Sequence, residues 1–441
     1  MALSQDSKDS VEFGAWKERA RALATTHATV NDFSAENLRR VLVQLNGLFL
    51  SSTGPVLKAY RAMADGRIAG RERKFTDALA TGSIAWTLPD GLEEIAETIG
   101  GLIRAVDWTL GQYRSQWPKE PSQWIVDNCY VIPRDSVSTA RSLSQTQPYQ
   151  RRGLVFHRII PKEIDGYAVE VFNGRTLHCS AADKSNWKMG ACLFEELKLD
   201  TDVSEHLGEK RFVVKGANSP YADAVVEEQI TKCLDEECVA VVWPELAVPP
   251  KLRGRIKALL QDRDVADDRL PPEVVVAGTW HEATKEGVVN RALVFDGYGI
   301  ERLVYDKIAP FSGGGWGKED ITPGTKLCVL ATEAAIIGFA ICLDFCDADA
   351  ETNPFTKMDI DLMLIPSMGN DQTMEGHQTT AAQMGVKFGT RTFVVQHITD
   401  TEFKDGRIGA ILPMPKRPNK VPIEQLGQKT VWNSYRWPQA T

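Results

Sequence analysis

Eight cysteines are few for 441 residues, and no two of them form a Cys-x-x-Cys pair. That excludes a disulfide framework, which belongs to short secreted chains. His178, Cys179 and Cys192 match no familiar zinc spacing, so no metal is expected. Long apolar runs are also missing. The run "AAIIGFAICL" is about half of the ~20 residues a membrane-spanning helix needs, and no membrane association is expected. The N-terminus, "MALSQDSKDSVEFGAW", lacks the basic and apolar regions of a secretory signal. A cytoplasmic setting is therefore the expectation. Positive charge is not in excess: the net charge is −8, which argues against general nucleic-acid binding. There is no Gly-x-Ser-x-Gly turn and the seven histidines are scattered, which removes Ser-His-Asp hydrolysis. The glycine loop Gly313–Gly317 follows no strand directly and carries no Gly-Lys-Ser/Thr, so it is no phosphate cradle. It reads as a pocket rim, with Trp316 as a substrate wall.

What remains is a composition able to pack. Hydrophobic residues make up 43% and charged residues 25%, the balance of a globular chain. The length favours two or three domains. Residues 1–200 carry a net charge of +1 and residues 201–441 one of −9, so the two halves differ in character. Residues 1–132 read as a helical domain. In "SAENLRRVLVQLNGLFL", Ser34 is placed to cap, and Leu38, Val41, Leu42, Leu45 and Leu48 fall at helical spacing. In "LPDGLEEIAETIGGLIRAVDWTLGQY", Asp90 is placed to cap and Leu92, Ile95, Ile99, Leu102 and Ile103 form a stripe. Residues 133–210 read as a linker, polar over 133–152, followed by a β-rich segment. From 211 to 441 the rhythm becomes β–α–β, opening on the strand "RFVVKGAN", and implies sheets flanked by helices.

Three reactive residues share one context, each closing a β segment. Glu245 follows "VAVVWP", Lys307 follows "ERLVYD" and Cys342 follows "IIGFAI". Strand-end loops carry chemistry because the sheet holds them rigidly. A carboxylate can take the proton of an attacking thiol, and an ammonium can hold the oxyanion that results.

These contexts resemble the carbon–nitrogen hydrolase (nitrilase) superfamily over about 211–415. "VVWPELAVP", "NRALVFDGYG", "YDKIAPF", "GFAICLDF" and "DLMLIPSMG" are similar to its motifs and stand in its order. The resemblance implies an α/β fold, a four-layer α-β-β-α sandwich, preceded here by the helical domain. It implies Glu245 as general base, Cys342 as nucleophile, and Lys307 with the Leu343 N–H as oxyanion holders. Glu319 matches a second glutamate that orients Lys307 and the substrate, with Asp320 as its competitor. Trp316, Leu343 and Ser367 are the expected substrate contacts. Asp344 is expected to fix the local turn, and Cys346 to be a buried apolar residue. No cofactor is implied, and a homodimer or larger assembly is.

The chain departs from that pattern in two places. "CDADAETNPF" stands where an aromatic-Pro-Glu segment is usual, and "KFGTRTF" where the family has Ala-x-Glu-Asn. Leu343 replaces the tryptophan of nitrilases proper, which favours an amide or carbamoyl substrate over a nitrile. The altered flanks leave an alternative open: a nitrilase-fold binding or scaffold module in a multi-component system such as one of defence. Residues 1–200 would then recruit a protein partner.

Overall fold

The computed structural model describes residues 5–113, 117–134, 154–174, 187–263, 268–313, 315–332, 335–346, 352–398, 406–414, 423–427 and 429–437. Most of the polar stretch 133–152, together with His178 and Cys179, lies outside them. The chain forms two compact units, one of residues 1–162 with 387–389 and one of residues 163–386 with 390–441.

The first unit is built on helices Gln5–Ala28, Ala35–Leu50, Gly54–Ala62, Asp65–Ala80 and Leu92–Gln112. Ser34 caps the second, its Oγ accepting the Asn37 N–H at 3.4 Å. The last helix begins one residue later than the sequence suggests. Gly91 is its N-cap, with no side-chain cap bond, so Asp90 stands one position too early to reach the free N–H groups. Leu92 drops out of the stripe and is 38% exposed, while Ile95, Ile99, Leu102 and Ile103 are buried. At the far end of this helix, buried Asp107 accepts the N–H groups of Val155 and Phe156 and meets His157 Nδ1 at 2.9 Å. That ties the helix to a three-stranded sheet of Ile125–Val126, Cys129–Pro133 and His157–Pro161.

The second unit holds two large mixed sheets. One runs in the order Glu301–Asp306, Gly287–Phe295, Val274–Thr284, Ala240–Val242, Lys188–Cys192, Trp432–Arg436. The other runs Glu424–Gly427, Arg407–Pro413, Arg391–His397, Leu362–Met368, Ile336–Phe339, Lys326–Ala331, Tyr167–Asn173, Glu163–Ile164. Their central strands pair in parallel and are almost wholly buried, as expected of strands covered on both faces. Helices Ala222–Asp235 and Pro250–Gln261 cover the first sheet: Val226, Ile230, Leu252 and Ile256 pack with Val241, Trp243 and Val275. The two sheets meet through Val274–Thr284 and Ala240–Val242 against Leu362–Met368, and through Glu301–Asp306 against Lys326–Ala331. Helix Asp371–Phe388 is tied to the second sheet by His377 Nε2 and Ser367 Oγ at 3.0 Å.

A third sheet has four strands, two long and two short. Its hairpin, Lys198–His206 with Glu209–Asn218, is extended by Gly317–Glu319 and Ser312–Gly313. "RFVVKGAN" belongs to this hairpin rather than to the β–α–β series. The strand that precedes helix Ala222–Asp235 in the first large sheet is Lys188–Cys192, parallel to Ala240–Val242. The hairpin is thus an excursion between that strand and that helix. Its burial explains the difference: in Glu209–Asn218 only Phe212 and Val214 are buried, an alternation that seals one face. Strands Tyr167–Asn173 and Lys188–Cys192, from the stretch read as a separate β-rich segment, are members of the two large sheets.

Candidate active site

Strand ends deliver four side chains to one cavity of about 90 Å³, lined among others by Glu245, Lys307, Glu319 and Cys342. Glu245 lies just past Ala240–Val242, Lys307 directly after Glu301–Asp306, Glu319 at the end of Gly317–Glu319, and Cys342 just past Ile336–Phe339. All four are buried. Lys307 Nζ donates to Glu245 Oε1 at 2.8 Å and to Glu319 Oε2 at 2.7 Å. Asn290 Nδ2 bridges the same two acids, donating to Oε1 of each at 2.9 Å. The Phe311 N–H donates to Glu319 Oε2 at 2.9 Å. His281 Nδ1 accepts the Val214 N–H at 2.8 Å, so its proton sits on Nε2, which meets Glu319 Oε1 at 2.9 Å.

Cys342 holds φ at +45°, a left-handed backbone that side chains other than glycine rarely adopt. Such strain persists only where the surroundings fix it. Here the Cys342 N–H donates to the Pro366 carbonyl at 3.0 Å, and Asp344 pins the turn. Asp344 Oδ1 accepts the N–H groups of Ile308 and Ala309, and Oδ2 accepts the Ile341 N–H and the Tyr305 hydroxyl. The turn after the cysteine and the loop after Lys307 are therefore held by one carboxylate. Burial, opposed by these donors, pushes that carboxyl up to about 6.

Electrostatics set the resting protonation. Burial and the neighbouring Glu245 raise the Cys342 thiol well above its ordinary value, only partly offset by Lys307. The sulfur rests as a neutral thiol, with Sγ 3.3 Å from the Met368 carbonyl. Burial acts against the charge of Lys307, but Glu245 and Glu319 outweigh it and hold the ammonium well above its usual range. Burial likewise opposes ionisation of Glu319, yet Lys307 and the His281 hydrogen bond hold it well below the usual carboxylate range.

The residues expected from sequence occupy different ranks around this centre. Trp316 lines the cavity. Leu343 is half-buried and opens a short helix, Leu343–Cys346, so its N–H has no acceptor within that helix. Ser367 is fully buried, its Oγ pairing with His377 and Gln396, and its hydroxyl works against the upward shift of the Cys342 thiol. Asp320 turns outward to Arg211, at 3.0 Å, while Glu319 turns in. Cys346 is half-buried, not wholly so, at the last position of the short helix Leu343–Cys346. Sequence reasoning passed over His281, although a signal exists. Thr279 and His281 are alternate polar residues on an otherwise apolar buried strand, and so share one face. Thr279 Oγ1 accepts the Leu246 N–H at 3.0 Å, supporting the loop after Glu245. Among the described residues, no group of three His, Cys, Asp or Glu is placed to hold a metal, and no helix is long and apolar enough to cross a membrane.

No family profile and no curated protein sequence matches this chain. Solved structures similar to it include an amidase from Nesterenkonia sp., 14% identical, covering 58% of this chain and 91% of that one with a TM-score of 0.39. A mutant of the Nesterenkonia AN1 amidase from the nitrilase superfamily is 15% identical, with coverage of 58% and 92% and a TM-score of 0.40. A glutamine-dependent NAD+ synthetase from Acinetobacter baumannii is 14% identical, with coverage of 58% and 48% and a TM-score of 0.38. Likeness of this degree decides nothing about chemistry, which rests on the side chains themselves.

Proposed function

We propose that the second unit is a thiol-dependent amidohydrolase, a four-layer α-β-β-α carbon–nitrogen hydrolase cleaving a non-peptide amide or carbamoyl C–N bond. One observation carries this reading: a strained, buried thiol shares a cavity with a buried ammonium clamped between two carboxylates. A structural salt bridge has no use for the thiol, and a structural thiol has no use for left-handed backbone.

The geometry divides the work. Cys342 and Glu245 meet at Met368, whose carbonyl lies beside Sγ and whose N–H donates to Glu245 Oε2 at 3.1 Å. Glu245 Oε1 is engaged by Lys307 and Asn290, which leaves Oε2 with room to accept a proton. Because the thiol is neutral at rest, that proton moves to Glu245 as sulfur attacks the carbonyl carbon. Lys307 and the Leu343 N–H hold the oxyanion. Collapse breaks the C–N bond, and the amine leaves with the proton from Glu245. Water, deprotonated by Glu245, then attacks the thioester, releases the acid and returns the proton to sulfur. Glu319 touches neither proton; with His281 and Asn290 it keeps Lys307 charged and aimed.

The test is covalent. A haloacetamide should alkylate Cys342 in the folded protein, and brief exposure to a substrate amide should add its acyl mass there. Glu245→Gln should slow acylation by about 10²–10⁴-fold. Failure of Cys342 to react while other thiols are modified overturns the reading.

A further inference from the structure

The hairpin of Lys198–His206 and Glu209–Asn218, between strand Lys188–Cys192 and helix Ala222–Asp235, walls the cavity and also supports its machinery. Leu199 lies on one strand, Phe212 and Val214 on the other, and all three line the cavity. Phe212 packs edge-on against Trp316, with centroids 5.6 Å apart, and against Phe311 at 6.4 Å. Strand Gly317–Glu319 adds to the hairpin in parallel, with Glu319 opposite Phe212. The Val214 N–H fixes the His281 ring that bonds Glu319. The wall facing the substrate and the posts behind Lys307 are therefore one element.

Resting on the amidohydrolase reading, we infer that this hairpin selects amides whose acyl group is neutral and apolar. Beyond the reacting groups, the polar side chains that line the cavity among the described residues include Asn370 and Thr373. These engage each other, with Asn370 Oδ1 accepting both the N–H and the hydroxyl of Thr373. Among the described residues no arginine lines the cavity, and the one lysine that does is held by two carboxylates. An acyl chain ending in a carboxylate finds no cation there, and burying it unpaired is costly. One ending in an ammonium finds the acids already engaged, and pairing with Glu245 Oε2 would block the position that must take the thiol proton. An apolar chain fits against Leu199, Phe212 and Trp316, the usual composition of a small-molecule pocket.

Three amides of matched length separate these cases: hexanamide, adipamate and 6-aminohexanamide, with ammonia release measured on the full chain. Hexanamide should lead both charged amides in kcat/KM by about 100-fold, the scale of discrimination in a hydrophobic pocket. Leu199→Arg should shift the adipamate-to-hexanamide ratio upward by about tenfold or more. Phe212→Ala should lower the hexanamide-to-acetamide ratio by a similar factor, with haloacetamide labelling of Cys342 confirming that each variant is folded. A wild-type preference for either charged amide, or ratios unmoved in both variants, overturns the inference. So does the absence of turnover of all three while Cys342 still labels, which leaves the thiol chemistry standing. An unlabelled Cys342 instead sinks the amidohydrolase reading beneath it.

Discussion

Replacing Lys307 with methionine removes the one cation between two buried acids. Asn290 Nδ2 donates to Glu245 Oε1 and to Glu319 Oε1, at 2.9 Å each. Donors on one amide nitrogen diverge at about 120°, which puts the two oxygens about 5 Å apart. At an effective dielectric near 20, two unit charges at that separation repel by about 3 kcal/mol. Either the fold bears that cost or one acid takes up a proton, because a like charge beside it disfavours the ionised form. Lys307→Met should therefore lose about 3–5 kcal/mol at pH 8 and recover part of it as the pH falls. The sign follows from the raised carboxyl: its contribution is complete below the unfolded value and is lost as pH rises through the folded one. Urea unfolding at pH 8, 7, 6 and 5 reads this directly. The double variant Lys307→Met with Glu319→Gln should regain about 2–3 kcal/mol at pH 8 over Lys307→Met alone, a non-additivity expected of residues in contact. Hydrolysis should be lost in both. Strictly additive variants, or a Lys307→Met protein whose stability does not change with pH, would show that the charges do not face each other as described.

Other expectations follow from the same residues. Glu319 is held well below the ordinary carboxylate range, so its stabilisation is present above the unfolded pKa and is lost as pH falls below about 4.5; Glu319→Gln should show a shallower acid transition than the wild type. With φ at +45°, Cys342→Gly should be more stable than Cys342→Ala by about 0.5–1 kcal/mol, the reverse of the order in a helix, as read by denaturant midpoints. Gly317 has φ at +91°, and a Cβ there would stand 2.2 Å from the Lys210 carbonyl oxygen. Gly317→Ala should cost about 2–3 kcal/mol and weaken hexanamide hydrolysis by loosening the strand that carries Glu319. Equal activity and stability to wild type would show that this strand is free of the hairpin.

The placement of the candidate residues was legible because it is written locally. Glu245 and Cys342 each follow an apolar run that reads as a buried strand, and Lys307 follows the alternating strand "ERLVYD"; a strand end fixes its next residue without help from distant sequence. The helical stripe of Ile95, Ile99, Leu102 and Ile103 was legible for the same reason, since period alone selects a face. What failed was offset and partnership. Asp90 is the right residue for a cap, but one position early, and nothing in the local sequence separates the two registers. "RFVVKGAN" alternates like any half-buried strand, so its pattern could not say which sheet it joins. That depends on Lys188–Cys192, more than twenty residues earlier, having already taken the place beside Ala240–Val242. His281 was hidden because its function lies in two bonds, to Val214 and Glu319, that exist only once three strands have met. By itself the sequence determined that Glu245, Lys307 and Cys342 would sit at strand ends, because periodicity and burial act over a few residues. The tertiary structure alone decided that the acids would share one lysine and one asparagine, that the thiol would be held in strained backbone, and that a hairpin would close the cavity with apolar side chains. Those are contacts between segments far apart in the chain, and their geometry is fixed by packing rather than by neighbours in sequence.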